Sequence, residues 1–161
     1  MKRILFVCIG NCHRSPVAEV IANMILRERG LAGAFEAISR GTHAGGGGLS
    51  TRPREWEAAR HSLWKLGILK EMSEHAPRRV SDEDLATAAV VVAMDYGVWQ
   101  DLADGSAAAA SRVRCFTELS GGRPASVNDP IGGTSEDFSE TYLYVDRTLR
   151  NHLDTLIQWT A

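Results

Sequence analysis

The chain has 161 residues, of which 44% are hydrophobic and 24% charged, and we expect one globular domain over residues 1–161. Its 18 basic and 20 acidic residues nearly cancel, so the bulk charge predicts neither nucleic acid nor an anionic membrane as a partner. No apolar run is long enough to span a bilayer, and three cysteines are too few for a secreted disulfide scaffold. These features predict a cytoplasmic protein.

The first predicted element is a buried strand from Ile4 to Cys8, which is a continuous apolar run. Ser15 and Pro16 have the preferences of a helix N-cap and a first helical residue. Apolar residues then recur along one helical face: Val17, Val20, Ile21, Met24 and Ile25. The loop between Cys8 and Ser15 therefore follows a strand and precedes a helix, where ligands bind in parallel α/β folds.

Strands and helices alternate along the rest of the chain. The predicted elements are an edge strand Phe35–Ser39, a helix from Pro53, a short helix capped by Ser81, a central strand Ala88–Met94, a helix Tyr96–Ala103, a strand Val113–Phe116 and a long helix Ser135–Trp159. This alternation predicts an α/β fold in which helices cover both faces of a parallel sheet.

The loop Cys8-Ile9-Gly10-Asn11-Cys12-His13-Arg14 carries the strongest chemical pattern of the chain. Its backbone N–H groups can converge on one anion, and Gly10 and Asn11 tolerate the positive φ of a tight curl. Arg14 can hold two phosphate oxygens, and the same positive field favours a thiolate at Cys8, to which Ser15 can donate a hydrogen bond. A buried core cysteine beside a surface arginine is the alternative, but the combination favours a nucleophile facing an anion cradle.

The segment from Val7 to Pro16 resembles the signature loop of the low-molecular-weight protein tyrosine phosphatases, with cysteine, five residues, arginine and Ser-Pro. The resemblance implies a flavodoxin-like fold with a four-stranded parallel sheet. It implies hydrolysis of phosphomonoesters through a phosphocysteine intermediate on Cys8, with no metal or other cofactor. The phosphate-binding residues that it implies are Ile9, Gly10, Asn11, Cys12, His13, Arg14 and Ser15.

The family takes its general acid from an Asp-Pro pair before the last helix, and Asp129-Pro130 lies at that place. The resemblance therefore implies that Asp129 is the general acid and base, although Asp-Pro-x-Gly is also ordinary turn chemistry. Three other segments are similar to the family: Ser39-Arg40-Gly41-Thr42, His75-Ala76-Pro77-Arg78-Arg79 and Met94-Asp95.

The loop departs from the family at two positions. His13 lies where the family usually has a second cysteine, either as neutral filler or as a cation that adds to the anion field. Cys12 lies one residue earlier, and whether it pairs with Cys8 is open. Cys12 is also small, like the threonine of related protein-arginine phosphatases, whereas tyrosine phosphatases have a larger aliphatic residue there.

The aromatic wall that selects phosphotyrosine in the family is missing from the expected places. Ile131 and Gly132 follow the Asp-Pro pair, and Gly45–Gly48 fill the other wall-forming loop. Trp56 or Trp99 could substitute, but each is better interpreted as core or helix surface. The resemblance still implies a phosphorylated protein as substrate, with phosphotyrosine preferred, and a phosphorylated small molecule is the alternative. The loop is expected to bind phosphate or another oxyanion.

Several alternatives stay open. The protein could be a protein-arginine or small-molecule phosphatase of the same fold, or a non-catalytic phosphate-binding or redox-sensing module. An arsenate reductase of this fold would need both Cys12 and Cys115 as further reactive cysteines, but Cys115 lies on a predicted strand and is better interpreted as a core residue. A structural zinc site would need four ligands, and only Cys8, Cys12 and His13 are available. A basic cluster is best interpreted as a solvated helix face, although it could flank the site: Arg52, Arg54, Arg60, Arg78 and Arg79.

Overall fold

Four parallel strands form one sheet in a computed structural model that describes residues 1–105 and 107–161. The strands are β1 (Lys2–Cys8), β2 (Phe35–Gly41), β3 (Val90–Ala93) and β4 (Val113–Cys115), in the order β2–β1–β3–β4. This is the order of the flavodoxin-like folds, in which β1 and β3 are the interior strands. The predicted parallel sheet, its edge strand β2 and its central strand β3 are confirmed.

The helices also follow the predicted pattern, with small differences at their ends. They are α1 (Arg14–Glu28), α2 (Pro53–Lys65), α3 (Leu69–Glu74), α4 (Asp82–Thr87), α5 (Tyr96–Gly105), α6 (Ala107–Ala110) and α7 (Ser135–Gln158). The first helix begins one residue before Ser15, so His13 is its N-cap. The fourth strand is shorter than predicted because Phe116 opens a 3-10 turn to Ser120. The short helices α3 and α6 were not predicted.

The side chains of β1 alternate between two cores, as the period of a strand requires. Ile4, Phe6 and Cys8 point into a large core formed with α1, α2 and α7. Leu5 and Val7 point into a smaller core on the opposite face, which α5 and β4 complete. Both faces of the sheet are therefore covered, and β1 is held rigidly up to its last residue.

The strand register places Cys8 at an edge where several loops meet. Cys8 is paired with Gly41, the last residue of β2, and Val7 is paired with Ala93, the last residue of β3. The loops after β1, β2 and β3 therefore leave the sheet on one side, which is the expected place for a ligand site in a parallel fold. Among the described residues, no helix combines the length and apolar content needed to cross a membrane.

The long helix α7 begins with a capping box that fixes the end of the preceding loop. The Thr134 hydroxyl accepts from the Asp137 N–H at 3.3 Å, and the Thr134 N–H donates to the Asp137 carboxylate at 2.8 Å. We expect Thr134→Ala to lower the free energy of unfolding by about 1 kcal/mol, because the helix loses a cap. Urea denaturation measures this change, with Ser135→Ala as a control that spares the cap. An equal loss in both variants would contradict the prediction.

Candidate active site

The loop after β1 curls around the Cys8 sulfur because of the backbone of Asn11. Asn11 has φ of 52°, and among the described residues it is the one non-glycine residue with a positive φ. Its N–H donates to Cys8 Sγ at 3.2 Å. The predicted tight curl is therefore present, but Asn11 and not Gly10 adopts the left-handed conformation.

The Asn11 side chain is fully buried and joins the loop to three other segments. Its amide nitrogen donates to Ser15 Oγ and to Ser39 Oγ, both at 3.0 Å. Its amide oxygen accepts from the Arg78 N–H at 2.9 Å. The Asn11 carbonyl oxygen lies 2.8 Å from Nε2 of His75. Two of the segments that resembled the family thus support the loop from behind.

Ser15 lies in the first turn of α1, directly beside the sulfur of Cys8. Ser15 Oγ is 3.0 Å from Cys8 Sγ, and both side chains are buried. Because Asn11 donates its amide hydrogen to Ser15 Oγ, the Ser15 hydroxyl hydrogen is left to two acceptors, Cys8 Sγ and the Arg40 carbonyl oxygen at 3.3 Å, of which Cys8 Sγ is the closer. Together with the Asn11 N–H, this gives the sulfur two donors.

Arg14 is buried and is held by two carboxylates and a carbonyl. Its NH2 group lies 2.8 Å from Asp95 and 3.4 Å from Asp129, and its NH1 group donates to the Val127 carbonyl at 3.0 Å. Burial alone would lower the pKa of Arg14, but the two carboxylates raise it, so the guanidinium stays charged. Asp95 was not predicted as a site residue, although its place two residues after the end of β3 is a signal that could have identified it.

Asp129 lies on the solvent-facing side of the Arg14 guanidinium, and its side chain is 47% exposed. Its Oδ1 atom is 3.1 Å from His13 Nε2 and accepts from the Ile131 N–H at 3.1 Å. The hydrogen bond from His13, the Ile131 N–H and the charge of Arg14 lower the pKa of Asp129 to about 2, against a smaller opposing effect of burial. The carboxyl is therefore ionised in the unliganded site.

These groups surround one cavity of about 240 Å³ at the predicted edge of the sheet. The cavity is lined by Cys8, Ile9, Gly10, Cys12, His13, Arg14, Arg52, Asp129 and Ile131. The structure thus brings together the predicted catalytic residues and most of the predicted loop. Asn11 and Ser15 lie behind the cavity, where they hold the loop and the sulfur. None of these lining residues is Phe, Tyr or Trp, and Trp56 and Trp99 pack against the two cores.

Arg52 and Ile131 complete the mouth of the cavity. Arg52 belongs to the basic cluster that was interpreted as a solvated helix face, and it is exposed, yet its charge reaches the cavity. Burial raises the pKa of Cys12, and the charge of Arg52 opposes this by lowering it. Ile131 is 40% exposed and offers an aliphatic surface in place of a ring.

The three cysteines are free thiols with different surroundings. Cys12 Sγ lies 3.5 Å from the Gly10 carbonyl oxygen, beside the cavity. Cys115 is fully buried on β4, as predicted, and burial followed by the charge of Glu118 raises its pKa to about 11. Within the part of the chain that the structure describes, no group of three His, Cys, Asp or Glu side chains is placed to hold a metal ion.

The chain is similar in sequence and in fold to known phosphatases. A model of the low molecular weight phosphotyrosine protein phosphatase family matches residues 3–159. A low molecular weight phosphotyrosine protein phosphatase of Schizosaccharomyces pombe is 32% identical over 160 residues, which cover 96% of each protein. The crystal structure of a YwlE mutant from Bacillus subtilis is 26% identical, covers 98% of this chain and 99% of its own, and superposes with a TM-score of 0.82. A YwlE arginine phosphatase mutant with a phosphorylated active-site serine is 25% identical, covers 97% and 95%, and has a TM-score of 0.80.

The Cα of Gly41 lies so close to the loop that a methyl group there would disturb it. A Cβ at Gly41 would lie 2.7 Å from the Ile9 carbonyl oxygen and 3.0 Å from the Asn11 Cβ. We expect Gly41→Ala to weaken binding of inorganic phosphate at least tenfold, because backbone must move to relieve the overlap. Isothermal titration calorimetry measures the affinity, and Gly33→Ala, which has open space around the new methyl group, is the control. Unchanged phosphate affinity in Gly41→Ala would contradict this account of the loop.

Proposed function

The chain belongs to the low molecular weight phosphotyrosine protein phosphatase family, and on that basis we propose that Cys8, Arg14 and Asp129 carry out its reaction. The observation that supports these roles is that all three line one cavity at the carboxyl end of β1. Cys8 is the nucleophile, Arg14 binds the phosphoryl oxygens and Asp129 is the general acid and base. The loop from Ile9 to Ser15 supplies the backbone N–H groups that surround the phosphate.

The first step transfers the phosphoryl group to sulfur. The Cys8 thiolate, which the Asn11 N–H and the Ser15 hydroxyl stabilise, attacks phosphorus and forms the S–P bond. The P–O bond to the leaving group breaks, and the leaving oxygen takes the bond electrons and a proton from Asp129. Since Asp129 is ionised in the unliganded site, it must gain this proton with the substrate. A phosphate dianion bound to Arg14 raises the pKa of the neighbouring Asp129 carboxyl, because the two negative charges repel each other.

The second step returns the enzyme to its starting state. Asp129, now ionised, takes a proton from water, whose oxygen attacks the phosphorus of the phosphocysteine. The S–P bond breaks, its electrons return to Cys8 as a thiolate, and inorganic phosphate leaves. Arg14 stays charged throughout, since Asp95 keeps it paired when Asp129 changes its protonation. The cycle consumes one phosphomonoester and one water molecule.

Phosphotyrosine is the substrate that the family name gives, and the charge at the cavity mouth favours it. Arg52 places a cation beside the entrance, where it can attract acidic residues that flank a phosphotyrosine. Ile131 offers an aliphatic surface for the phenyl ring. We therefore propose phosphorylated proteins as substrates, with phosphotyrosine preferred.

Protein phosphoarginine is a second candidate substrate. The lining of the cavity, in which Cys12 is small and none of the residues named above is Phe, Tyr or Trp, favours it. A solved relative that is 25% identical is described as an arginine phosphatase. Arg52 counts against this candidate, because a cation at the mouth repels the guanidinium group of phosphoarginine.

The same proposal covers the organisation and location of the protein. We propose that residues 1–161 act as one catalytic domain, because both cores pack on the same sheet. We also propose a cytoplasmic location, since the nucleophile must stay a reduced thiol to react.

Removal of the acid should affect substrates according to their leaving groups. We expect Asp129→Asn to slow hydrolysis of phenyl phosphate about 100-fold or more, because a poor leaving group needs the proton. Dinitrophenyl phosphate, whose leaving group needs no proton, should be affected far less. Steady-state kcat/KM values test this, and Cys8→Ser should abolish hydrolysis of both substrates. Equal losses for both esters in Asp129→Asn would show that Asp129 is not the acid.

The charge at position 52 should control the choice between the two substrate classes. We expect Arg52→Glu to raise the ratio of kcat/KM for a phosphoarginine peptide to that for a phosphotyrosine peptide at least tenfold. Arg52→Gln should give an intermediate ratio, because it removes the repulsion without adding attraction. Both rates are measured as phosphate release from peptides of the same sequence at low salt, where exposed charges act most strongly. A ratio that does not follow the charge would rule out Arg52 as the selector.

A further inference from the structure

His13 contacts the proposed general acid from a fully enclosed position. Its side chain is 5% exposed, and Nε2 lies 3.1 Å from Asp129 Oδ1. The imidazole ring packs against two rings of α7, with centroid distances of 5.8 Å to Phe138 and 6.1 Å to Tyr142. His13 also lies directly before Arg14 in the chain, so the proposed phosphate-binding loop fixes its backbone. The ring is therefore held rigidly against one oxygen of a half-exposed carboxyl.

The surroundings of His13 favour a neutral imidazole with its hydrogen on Nε2. Burial lowers the pKa of His13, and the charges of Arg14 and Arg52 also disfavour a second cation, against the opposing effect of Asp129. Burial likewise keeps the Tyr142 hydroxyl uncharged by raising its pKa. Because Asp129 is ionised and can only accept, Nε2 is the atom that donates. Nδ1 then carries the lone pair, and it is buried without a hydrogen-bond partner in the described part of the structure.

The two oxygens of Asp129 have different partners. Oδ1 faces two donors, Nε2 of His13 and the N–H of Ile131, both at 3.1 Å. Oδ2 faces Arg14 at 3.4 Å, on the side where the phosphoryl group is expected to bind. A proton on Oδ1 would meet two hydrogen atoms already directed at that oxygen. Oδ2 has one donor, the Arg14 NH2 group at 3.4 Å, and when that donor turns to the phosphoryl group Oδ2 can direct a proton toward the bound ester.

We propose that His13 is a positioning residue that holds Asp129 Oδ1 as an acceptor and so makes Oδ2 the atom that exchanges the catalytic proton. The proposal rests on the proposed role of Asp129 as the general acid. In the first step the proton leaves Oδ2 for the leaving oxygen, and the O–H electrons stay on the carboxylate. In the second step Oδ2 takes a proton from water. His13 keeps its own proton on Nε2 in both steps.

The hydrogen bond from His13 should affect the pH at which the enzyme loses activity. A donor on Oδ1 stabilises the ionised form of Asp129 and holds its pKa below the ordinary range. The reaction needs protonated Asp129, so kcat falls as the pH rises through the pKa that Asp129 has in the enzyme–substrate complex, where the bound phosphate raises it. The groups that face the pair are Arg14, Arg52, Cys12 and Tyr142. Removal of His13 leaves these groups in place and removes one donor, so the basic limb should move to higher pH.

The experiment compares His13→Leu, which has no donor, with His13→Gln, whose amide can still donate. The pH profile of kcat for phenyl phosphate, which reports ionisations in the enzyme–substrate complex, is measured for both variants and for the wild type with the same substrate. We expect the basic limb of His13→Leu to move up by about one pH unit or more, since the lost bond is to a charged group. The limb of His13→Gln should stay closer to the wild type. An unmoved limb in His13→Leu would overturn the proposal.

A double-mutant cycle separates this proposal from the role of Asp129 itself. If His13 acts through Asp129, then His13→Leu should change kcat/KM by less than twofold in the Asp129→Asn background. An equal loss in both backgrounds would mean that His13 only supports the loop, and the proposal would fail. If Asp129→Asn keeps the full basic limb, the proposed acid is wrong, whatever His13 does.

Nitrogen NMR of the wild-type protein gives a test that does not depend on the activity of a variant. With ¹⁵N-labelled histidine, the His13 ring should show a protonated Nε2 and an unprotonated Nδ1 near neutral pH. Assignment uses the loss of the signal in His13→Gln. A hydrogen on Nδ1 would overturn the proposal, since Nε2 would then have nothing to donate to Asp129.

Discussion

The hydrogen bonds of one buried amide hold the active-site loop in shape. The Asn11 side chain connects Ser15 on α1, Ser39 on β2 and the backbone at Arg78, while its own backbone turns an N–H to the Cys8 sulfur. The left-handed conformation is one that asparagine adopts more readily than most residues. The polar groups are buried and paired, so a change in any of them leaves an unsatisfied partner. The proposed nucleophile therefore depends on contacts that lie outside the cavity.

Arg14 is held in a way that suits a site which receives and releases an anion. Its close ion pair is with Asp95, which is mostly buried, while the contact with Asp129 is longer and half-exposed. A phosphoryl group can take the place of the weaker contact without leaving the guanidinium unpaired. The same exchange separates Asp129 from part of the positive charge that keeps it ionised, so binding of the substrate and protonation of the acid favour each other. The loose contact is thus as important for the proposed chemistry as the tight one.

The fold was largely predictable from the sequence, because its strands and helices follow simple periodicities. The apolar run to Cys8 and the valines of β3 are buried as their patterns indicate. The helix α3 was missed because six residues hold too little periodicity and, unlike the equally short α4, it has no side-chain N-cap that marks its start. The cysteine, the arginine and the aspartate of the proposed site were predicted from local motifs and a resemblance, and the structure places all three around one cavity. The contacts of Asp95 and Arg52 were not, since no local pattern states which distant residues share a cavity.

His13 shows how a single departure from a familiar loop can change the control of a reaction. Where the family usually has a second cysteine, this chain has the imidazole of His13, which cannot form a disulfide with Cys8. It has instead a rigid ring, fixed by α7, that contacts the proposed acid on the side away from Arg14. Asp129 is thus placed between a neutral donor on one oxygen and a cation on the other. With two such neighbours, the orientation and the protonation of the carboxyl are set by the same contacts, and the proposed phosphate-binding loop also positions the proposed acid.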